Sequence, residues 1–573
     1  MSFLTIYLTV SLVIILLINS LYAIIFKALE AEQNLKEKNA NFLYDSFRGF
    51  KNKNTVESGY ASALMFALSF ILVSPALLNI EEKGLFGNFS SGLVYCLLAL
   101  TMLIILIVKP SALNESALLI SFSTLGLILM SDSSHLIGLY LAVELYSLSA
   151  YILASGAEGV YSSSLKNNTL LTVNKPSVSA GLKYFLLSAL SSGVLVAGIS
   201  IVYACTGELS LNSLQRVLSM RVTGDNPVLG LSEIFDSNKR FTMLGMGLII
   251  CTLVFKIGGA PFHFWVPDVY SKVSLFVNFY LISVPKVGIL YTLIKISFIM
   301  QTHNALSYLI LFFSILSLFF GAIGGLVQIQ TKRLLAYSSI SHAGYILLAL
   351  YAAHIPQNTE ILDLGSCAPT SLTSPSIMHM YSIAFYLLVY CFMTVNMFTV
   401  LYSVNIYSSF LENAFNKSKK TTDGPFIFKV DWVYGLKGLC KHNPFLAVSL
   451  AITLLSMAGV PPLAGFVAKL YIYMAVIDSG AYIPAVAAVL LSVVTAVYYL
   501  RLIKVTFFYS PNLSSLYKKN LNEKNIIKVG TSNNTPAFYV STFSSIVISL
   551  CTLLIVFFPI LKPSIIFLYL NSF

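Results

Sequence analysis

Apolar runs of about 20 residues recur along the whole chain, separated by short polar stretches, and a helix needs that length to cross a bilayer. Taken one by one, the runs place spans near 3–26, 59–79, 91–109, 114–131, 134–155, 178–205, 241–265, 274–298, 305–327, 333–353, 378–402, 444–476, 481–508 and 537–560, fourteen in all. The runs are continuous rather than alternating, so they read as helices and not as the short two-faced strands of a membrane barrel. The pattern predicts an all-α, polytopic membrane protein.

Composition agrees: the 573 residues are 57% hydrophobic and 10% charged, where a soluble domain carries roughly 25% charge. Charge matters through its placement. Basic residues crowd the loops after span one (Lys27, Lys36, Lys38, Arg48, Lys51, Lys53), span eleven (Lys417, Lys419, Lys420, Lys429, Lys437, Lys441) and span thirteen (Lys518, Lys519, Lys524, Lys528). All three loops follow odd-numbered spans and share one side. The positive-inside rule makes that side the cytoplasm or an organelle's matrix, with both termini on the opposite face. The net charge of +12 then reflects topology and contact with anionic lipid, cardiolipin among the candidates. No basic patch is interleaved with aromatics, so no nucleic-acid partner is expected.

The cysteines (Cys96, Cys205, Cys251, Cys367, Cys391, Cys440, Cys551) are scattered without a CxxC pair, which argues against an iron–sulfur or zinc site. Histidines are too sparse for a bis-histidine haem. The chain is expected to hold no metal or cofactor and to carry no electrons. Its start, MSFLTIYLTV, lacks the Arg-rich character of a transit peptide and runs into a span too long for a signal sequence. That fits a bacterial protein or one made inside its own organelle, and the preference for Lys over Arg leans toward the organelle.

Against this background a few charges stand out. Glu144, in LYLAVELYSLSAYILASG, is the eleventh residue of its span and cannot reach either interface. Lys256 in GLIICTLVFKIGG, Lys286 in NFYLISVPKVGIL, His342 in SSISHAGYILL and Lys469 in GFVAKLYIY are also interior, while Lys183 in GLKYFLLSALSSG is nearer an edge. A charge at a helix centre costs roughly 2.5–3.5 kcal/mol on insertion scales, so it is seldom kept idle. Structural alternatives remain: a buried ion pair for Glu144 and the lysines, a neutral histidine bonded to backbone or serines for His342, snorkelling for Lys183. Lys295 and Lys332 read as snorkelling anchors, and the many Tyr and Phe as lipid-facing or packing residues. The chemistry open to the interior set is proton handling. Burial disfavours an ammonium and a nearby carboxylate favours it, so Glu144 can modulate a buried lysine.

Two spans carry breaks. KIGGAPFHFW places Gly258, Gly259 and Pro261 inside span seven, and SMAGVPPLAGF places Gly459, Pro461 and Pro462 inside span twelve. Proline removes a backbone donor, and freed backbone groups at membrane depth are tolerated beside a cavity or hydrated path. Pro261 and Pro461 are 461 − 261 = 200 residues and five spans apart; an odd offset inverts the second copy, so the pattern reads as an inverted repeat. Two ordinary proline kinks are the alternative. The expected organisation is an N-terminal three-helix segment (1–110), a first repeat (111–300, helices 4–8), a second (301–510, helices 9–13), and a C-terminal loop with helix 14 (511–573).

From about residue 114 to 508 the chain closely resembles the N-type antiporter-like membrane subunits of respiratory complex I (the NADH dehydrogenase subunit 2 family), in their mitochondrially encoded form. The matching stretches are LAVELYSLSAY, GLKYFLLSALSSG, FKIGGAPFHFWVPDVY, VPKVGIL, QTKRLLAYSSISHAGY and AGVPPLAGFVAKLY. The resemblance implies that Glu144 and Lys256 are the paired carboxylate and lysine, that Lys183 and Lys286 join them to a central hydrophilic axis, that His342 is the axis histidine, and that Lys469 is the lysine of the second broken helix. It also implies other complex I membrane-arm subunits as partners, neighbouring antiporter-like subunits included. FMN, iron–sulfur clusters and ubiquinone would lie in partner subunits, and the chain would sit multi-pass in the mitochondrial inner membrane with both termini on the intermembrane-space side. One departure is SKVSLF after PDVY, where bacterial relatives usually have a Gly-Ala-Pro-x-Pro run; another is Pro285 directly before Lys286. A subunit of a multi-subunit cation/proton antiporter, or a scaffold without transport, would share the same lysines and breaks.

Overall fold

The computed structural model of the protein describes residues 114–156, 175–219, 229–299, 304–354, 375–416, 431–509 and 542–558. The expected spans 3–26, 59–79 and 91–109, the basic first loop, and the Lys-rich stretches 417–429 and 518–528 lie outside these residues. The described residues are helical, with two isolated backbone bridges and no strand. Among the described residues, eight helices are long and apolar enough to cross a membrane by length and composition. The helices fall into two compact units, one holding residues up to Leu316 with Leu350–Leu372, the other Ser317–Ala349 and Thr373–Pro563.

The first unit contains α1 (Asn114–Asp132), α2 (Leu136–Ser155), α3 (Lys175–Thr206), the short α4 (Leu211–Ser219), α5 (Leu229–Ile257), α6 (Trp265–Lys272) and α7 (Leu275–Ile299). α3 packs on α2 and α5, and α7 on α1 and α5. Glycines set how closely some of these backbones approach. A Cβ at Gly198 of α3 would lie 2.8 Å from the Gly245 carbonyl of α5, and one at Gly245 2.9 Å from that of Gly198. Such close backbone approach is how helices gain dispersion contact where lipid removes the hydrophobic drive.

The turn after α1 is held from two directions. Leu136 N donates to Leu209 O (3.0 Å) and Leu211 N to Ser134 O (2.9 Å), tying it to the stretch that follows α3. Lys295 of α7 donates to the carbonyls of Ser131 (3.2 Å) and Ser133 (2.7 Å). Lys295 therefore caps α1 rather than snorkelling, because a helix C-terminus offers unpaired carbonyls and partial negative charge.

In the second unit the chain continues through the later part of α8 (Asn304–Leu326), most of α9 (Thr331–His354), α10 (Pro375–Asn416), the one-turn α11 (Leu439–His442), α12 (Pro444–Ala458), α13 (Ala464–Asp478), α14 (Tyr482–Phe508) and α15 (Thr542–Phe557). α10 runs on to Asn416, past the expected span end at 402; a helix satisfies its own backbone bonds and need not stop where the apolar run does. The turn after α8 is held as the one after α1 is. Thr331 N donates to Asp431 O (3.0 Å) and Val433 N to Ile329 O (3.0 Å). Arg501 of α14 gives Nη1 to Leu326 O (3.1 Å) and Nη2 to Gln328 O (2.6 Å). At the start of α9 the Lys332 ammonium pairs with Asp431 at 2.8 Å. α12 starts on an Asn443 cap, whose side chain accepts from Leu446 N (3.2 Å), with Pro444 in the first turn, where its missing N–H costs nothing.

Candidate functional site

Both broken spans stop in the same manner. α5 ends at Ile257, Gly258 takes φ 83°, and its N–H and that of Gly259 turn back onto the carbonyls of Phe255 (3.0 Å) and Val254 (2.9 Å). α12 ends at Ala458, Gly459 takes φ 87°, and it and Val460 turn back onto Leu455 O (3.0 and 3.1 Å). This is the helix C-terminal motif that needs a left-handed residue, and only glycine adopts that backbone freely. The Ala260–Pro261 and Pro461–Pro462 peptide bonds that follow are cis.

In the first unit the break is lined with aromatics. The Trp265 indole donates to Phe255 O (3.2 Å) and stacks on Phe255 and on Tyr184 of α3, ring centroids 5.9 and 4.6 Å apart. Lys256 is buried in the last turn of α5, at the break, and its ammonium donates to Ser188 Oγ of α3 at 3.2 Å. The Tyr151 hydroxyl of α2 donates to the same Ser188 oxygen. Among the described residues no carboxylate lies within 4.0 Å of the Lys256 ammonium.

Glu144 itself is partly exposed, between Leu141 and Leu148 on the outward stripe Ile137, Leu141, Leu148 and Ile152 of α2. Its Oε2 accepts from Ser147 Oγ (3.3 Å), and its buried Oε1 has no hydrogen-bond partner among the described residues. Lys183 turns to Asp268 of α6 at 3.1 Å, both side chains about half exposed, so it is tied to the second half of the broken helix. Lys286 is buried in α7, directly after Pro285, which sits inside the helix without ending it.

In the second unit the break and its lysine are in direct contact. Lys469, 4% exposed on α13, donates to Met457 O and Ala458 O at 3.0 Å each, the carbonyls left unpaired where α12 stops. Its ammonium also lies 5.0 Å over the Tyr345 ring, a cation–π contact. The half-helices meet closely: Gly465 N donates to Ser456 Oγ (3.0 Å), and a Cβ at Gly465 would lie 1.8 Å from Ser456 O. His342 is buried on α9, with Nδ1 2.7 Å from the Tyr386 hydroxyl of α10 and Nε2 3.3 Å from that of Tyr499 of α14. A neutral imidazole has one donor and one acceptor nitrogen, and a phenol does either job, so two tyrosines accommodate both tautomers.

Sequence reasoning passed over several of these partners. Ser188, Tyr151, Asp268, Tyr345, Tyr386 and Tyr499 lie outside the site expected from sequence, where tyrosines count as lipid-facing or packing residues. Among the described residues, seven of the ten largest fully buried side chains are tyrosines, Tyr280, Tyr291, Tyr345, Tyr386, Tyr390, Tyr498 and Tyr499. A buried phenol needs a hydrogen-bond partner, and that makes it part of a polar interior. Helical spacing held a signal: Tyr151 is two turns after Glu144, and Tyr345 three residues after His342.

The fold and the two sites define a class: a polytopic helical membrane protein with two interrupted spans, each with a buried lysine at the break. The chain belongs to the NADH:quinone oxidoreductase/Mrp antiporter transmembrane family, which it matches over residues 133–362 and 370–495. It is 35% identical over 462 residues to NADH-ubiquinone oxidoreductase chain 2 of Rhizopus oryzae, covering 79% of this chain and 76% of that one. It is 30% identical over 481 residues to NADH-quinone oxidoreductase subunit N of Parvibaculum lavamentivorans, covering 82% and 85%. Its fold matches a chain of the solved structure of respiratory complex I from Thermus thermophilus with bound aureothin, TM-score 0.61 at 24% identity over 88% of this chain and 92% of that one.

Proposed function

We propose that this chain is a proton-translocating subunit of the membrane arm of respiratory complex I, in the mitochondrial inner membrane, driven by NADH:ubiquinone oxidoreduction in other subunits. The observation that carries this reading is the buried lysine at each helix break, Lys256 and Lys469, in a chain of this family. Interior charges of this kind mark proton and ion pathways. Glu144, Lys183, Lys286 and His342 complete the path. FMN, the iron–sulfur clusters and ubiquinone belong to the partner subunits.

The two halves form an inverted repeat within a set of fourteen spans. Support comes from the matching clamps at the turns after α1 and α8, where Leu136 and Thr331 play the same part, and from the left-handed Gly258 and Gly459. These glycines are 459 − 258 = 201 residues apart, which sets Pro261 against Pro462 rather than Pro461. Both termini face the intermembrane space. On the opposite, basic side Lys437, 4.7 Å over the Tyr434 ring and 5.4 Å over that of Tyr509, meets anionic lipid head groups, cardiolipin included.

The test is Lys256→Met in the assembled complex, which should lower coupled quinone reductase activity at equal complex content. Normal assembly with unchanged, fully coupled turnover overturns the reading. Purification in mild detergent separates it from an antiporter subunit: flavin and iron–sulfur subunits co-purify in the first case, other antiporter subunits alone in the second.

A further inference from the structure

Lys256 and Glu144 are too far apart for a contact ion pair, yet hydroxyl groups fill the space between them. Ser188 Oγ takes the Lys256 ammonium at 3.2 Å and also takes the Tyr151 hydroxyl. Ser147 lies one turn before Tyr151 on the same helix α2, where side chains four residues apart are neighbours. Ser147 Oγ in turn shares its proton between the Glu144 backbone carbonyl at 3.1 Å and Glu144 Oε2 at 3.3 Å. Ser147, Tyr151 and Ser188 are all buried, the last 1% exposed.

We propose that Ser188, Tyr151 and Ser147 form a hydroxyl relay that carries a proton between Lys256 and Glu144, with Tyr151 as its switch. The inference rests on the proton-translocating reading above. In one pass the Lys256 ammonium gives a proton to Ser188 Oγ while Ser188 gives its own to the Tyr151 oxygen. Tyr151 passes its proton to Ser147, and Ser147 passes its own to Glu144 Oε2. One N–H bond breaks and one carboxyl O–H bond forms; each hydroxyl ends with one proton, and nothing is oxidised or reduced. An ammonium and a carboxylate become an amine and a carboxylic acid, so the net charge of the site is unchanged.

Direction is set by Tyr151. Its hydroxyl points at Ser188, which already receives the Lys256 proton donor, so two donors converge on one oxygen and the chain is interrupted there. A phenol hydroxyl rotates about its C–O bond, and turning it toward Ser147 makes Ser188 the donor and completes the path. The ring need not move. It is held edge-on against Tyr184 with centroids 4.8 Å apart, and Tyr184 is stacked on Trp265 at the helix break. A shift of the broken helix thus reaches the switch through two aromatic contacts.

The experiment compares Tyr151→Phe, Ser188→Ala, Ser188→Thr and Lys256→Met in the assembled complex, reading protons pumped per NADH oxidised alongside the electron-transfer rate. Tyr151→Phe keeps the ring and removes the hydroxyl. It should lower the ratio to the level of Lys256→Met, Ser188→Ala should do the same, and Ser188→Thr, which restores a hydroxyl, should recover the wild-type ratio. If Lys256→Met lowers the ratio while Tyr151→Phe and Ser188→Ala pump as wild type, the relay is wrong and the proton-translocating reading stands. If Lys256→Met also pumps as wild type, both fall. Equal losses in Ser188→Ala and Ser188→Thr overturn the relay, since packing rather than the hydroxyl would then be at work. Should Ser188→Ala fail to assemble, Tyr151→Phe decides alone.

Discussion

Gly459 has to satisfy two demands at once. Its φ of 87° is open to glycine at little cost, and a Cβ there would sit 3.0 Å from Lys469 Cδ and 3.3 Å from its Nζ, so a side chain would push the ammonium off the Met457 and Ala458 carbonyls. Gly480 is a control: φ is 78°, and a Cβ would meet nothing within 4 Å. Gly480→Ala should cost only the left-handed backbone term, roughly 1–2 kcal/mol. Gly459→Ala should cost more and should also reduce coupled activity. Melting of the purified complex, with turnover measured in parallel, checks the order. Equal loss of stability in the two variants, with activity intact in both, would mean Lys469 does not depend on the empty space at Gly459. The interior charges at this scale were legible in sequence, because an ionised side chain inside an apolar run is conspicuous whatever surrounds it. Ser188 and Tyr151 were not, because serine and tyrosine are common in apolar spans and become important only through the helix they touch.

Helix ends carry the next level of organisation. Lys295 reaches from α7 to the carbonyl end of α1 and Arg501 from α14 to that of α8, and both are cations satisfying acceptors that the helix itself leaves unpaired. Hydrogen bonds to charged groups contribute about 1.5–3 kcal/mol. Arg501→Ala should therefore lower the melting temperature of the assembled complex more than Arg501→Lys, which retains a point charge but loses the two-pronged geometry. Proton pumping per electron should be unchanged in both at a temperature where the complex is intact. A lowered pumping ratio in a stable Arg501→Lys complex would place this residue in the transport path instead of the scaffold. The existence of the long helices was readable from run length, and the two breaks from Gly and Pro. Capping by Lys295 was not, because a lysine near a span end looks the same whether it reaches for water or for a carbonyl.

For the whole molecule, the distribution of Lys and Arg among loops sets orientation during insertion, when the chain has not yet packed. The proposed orientation, with the basic loops after spans one, eleven and thirteen on the matrix side, requires that a tag at Phe573 be accessible from the intermembrane-space side of sealed, right-side-out membranes and protected from the matrix side. Accessibility from the matrix side alone would mean an odd number of spans or the reverse orientation.

Run length, loop charge and the placement of glycine and proline determined by themselves that this is a multi-spanning helical protein with two interrupted spans and a handful of interior ionisable residues. These properties follow from what a bilayer permits of any single segment: satisfied backbone bonds, an apolar surface and few charges. Only the tertiary structure decided what each charge meets. It gave Lys469 the carbonyls of its own helix break, His342 a pair of tyrosines, Lys183 an aspartate and Lys256 a serine. Which side chains share a site depends on the rotation and approach of helices that are distant in sequence, and those are set by packing, down to the glycine contacts between α3 and α5.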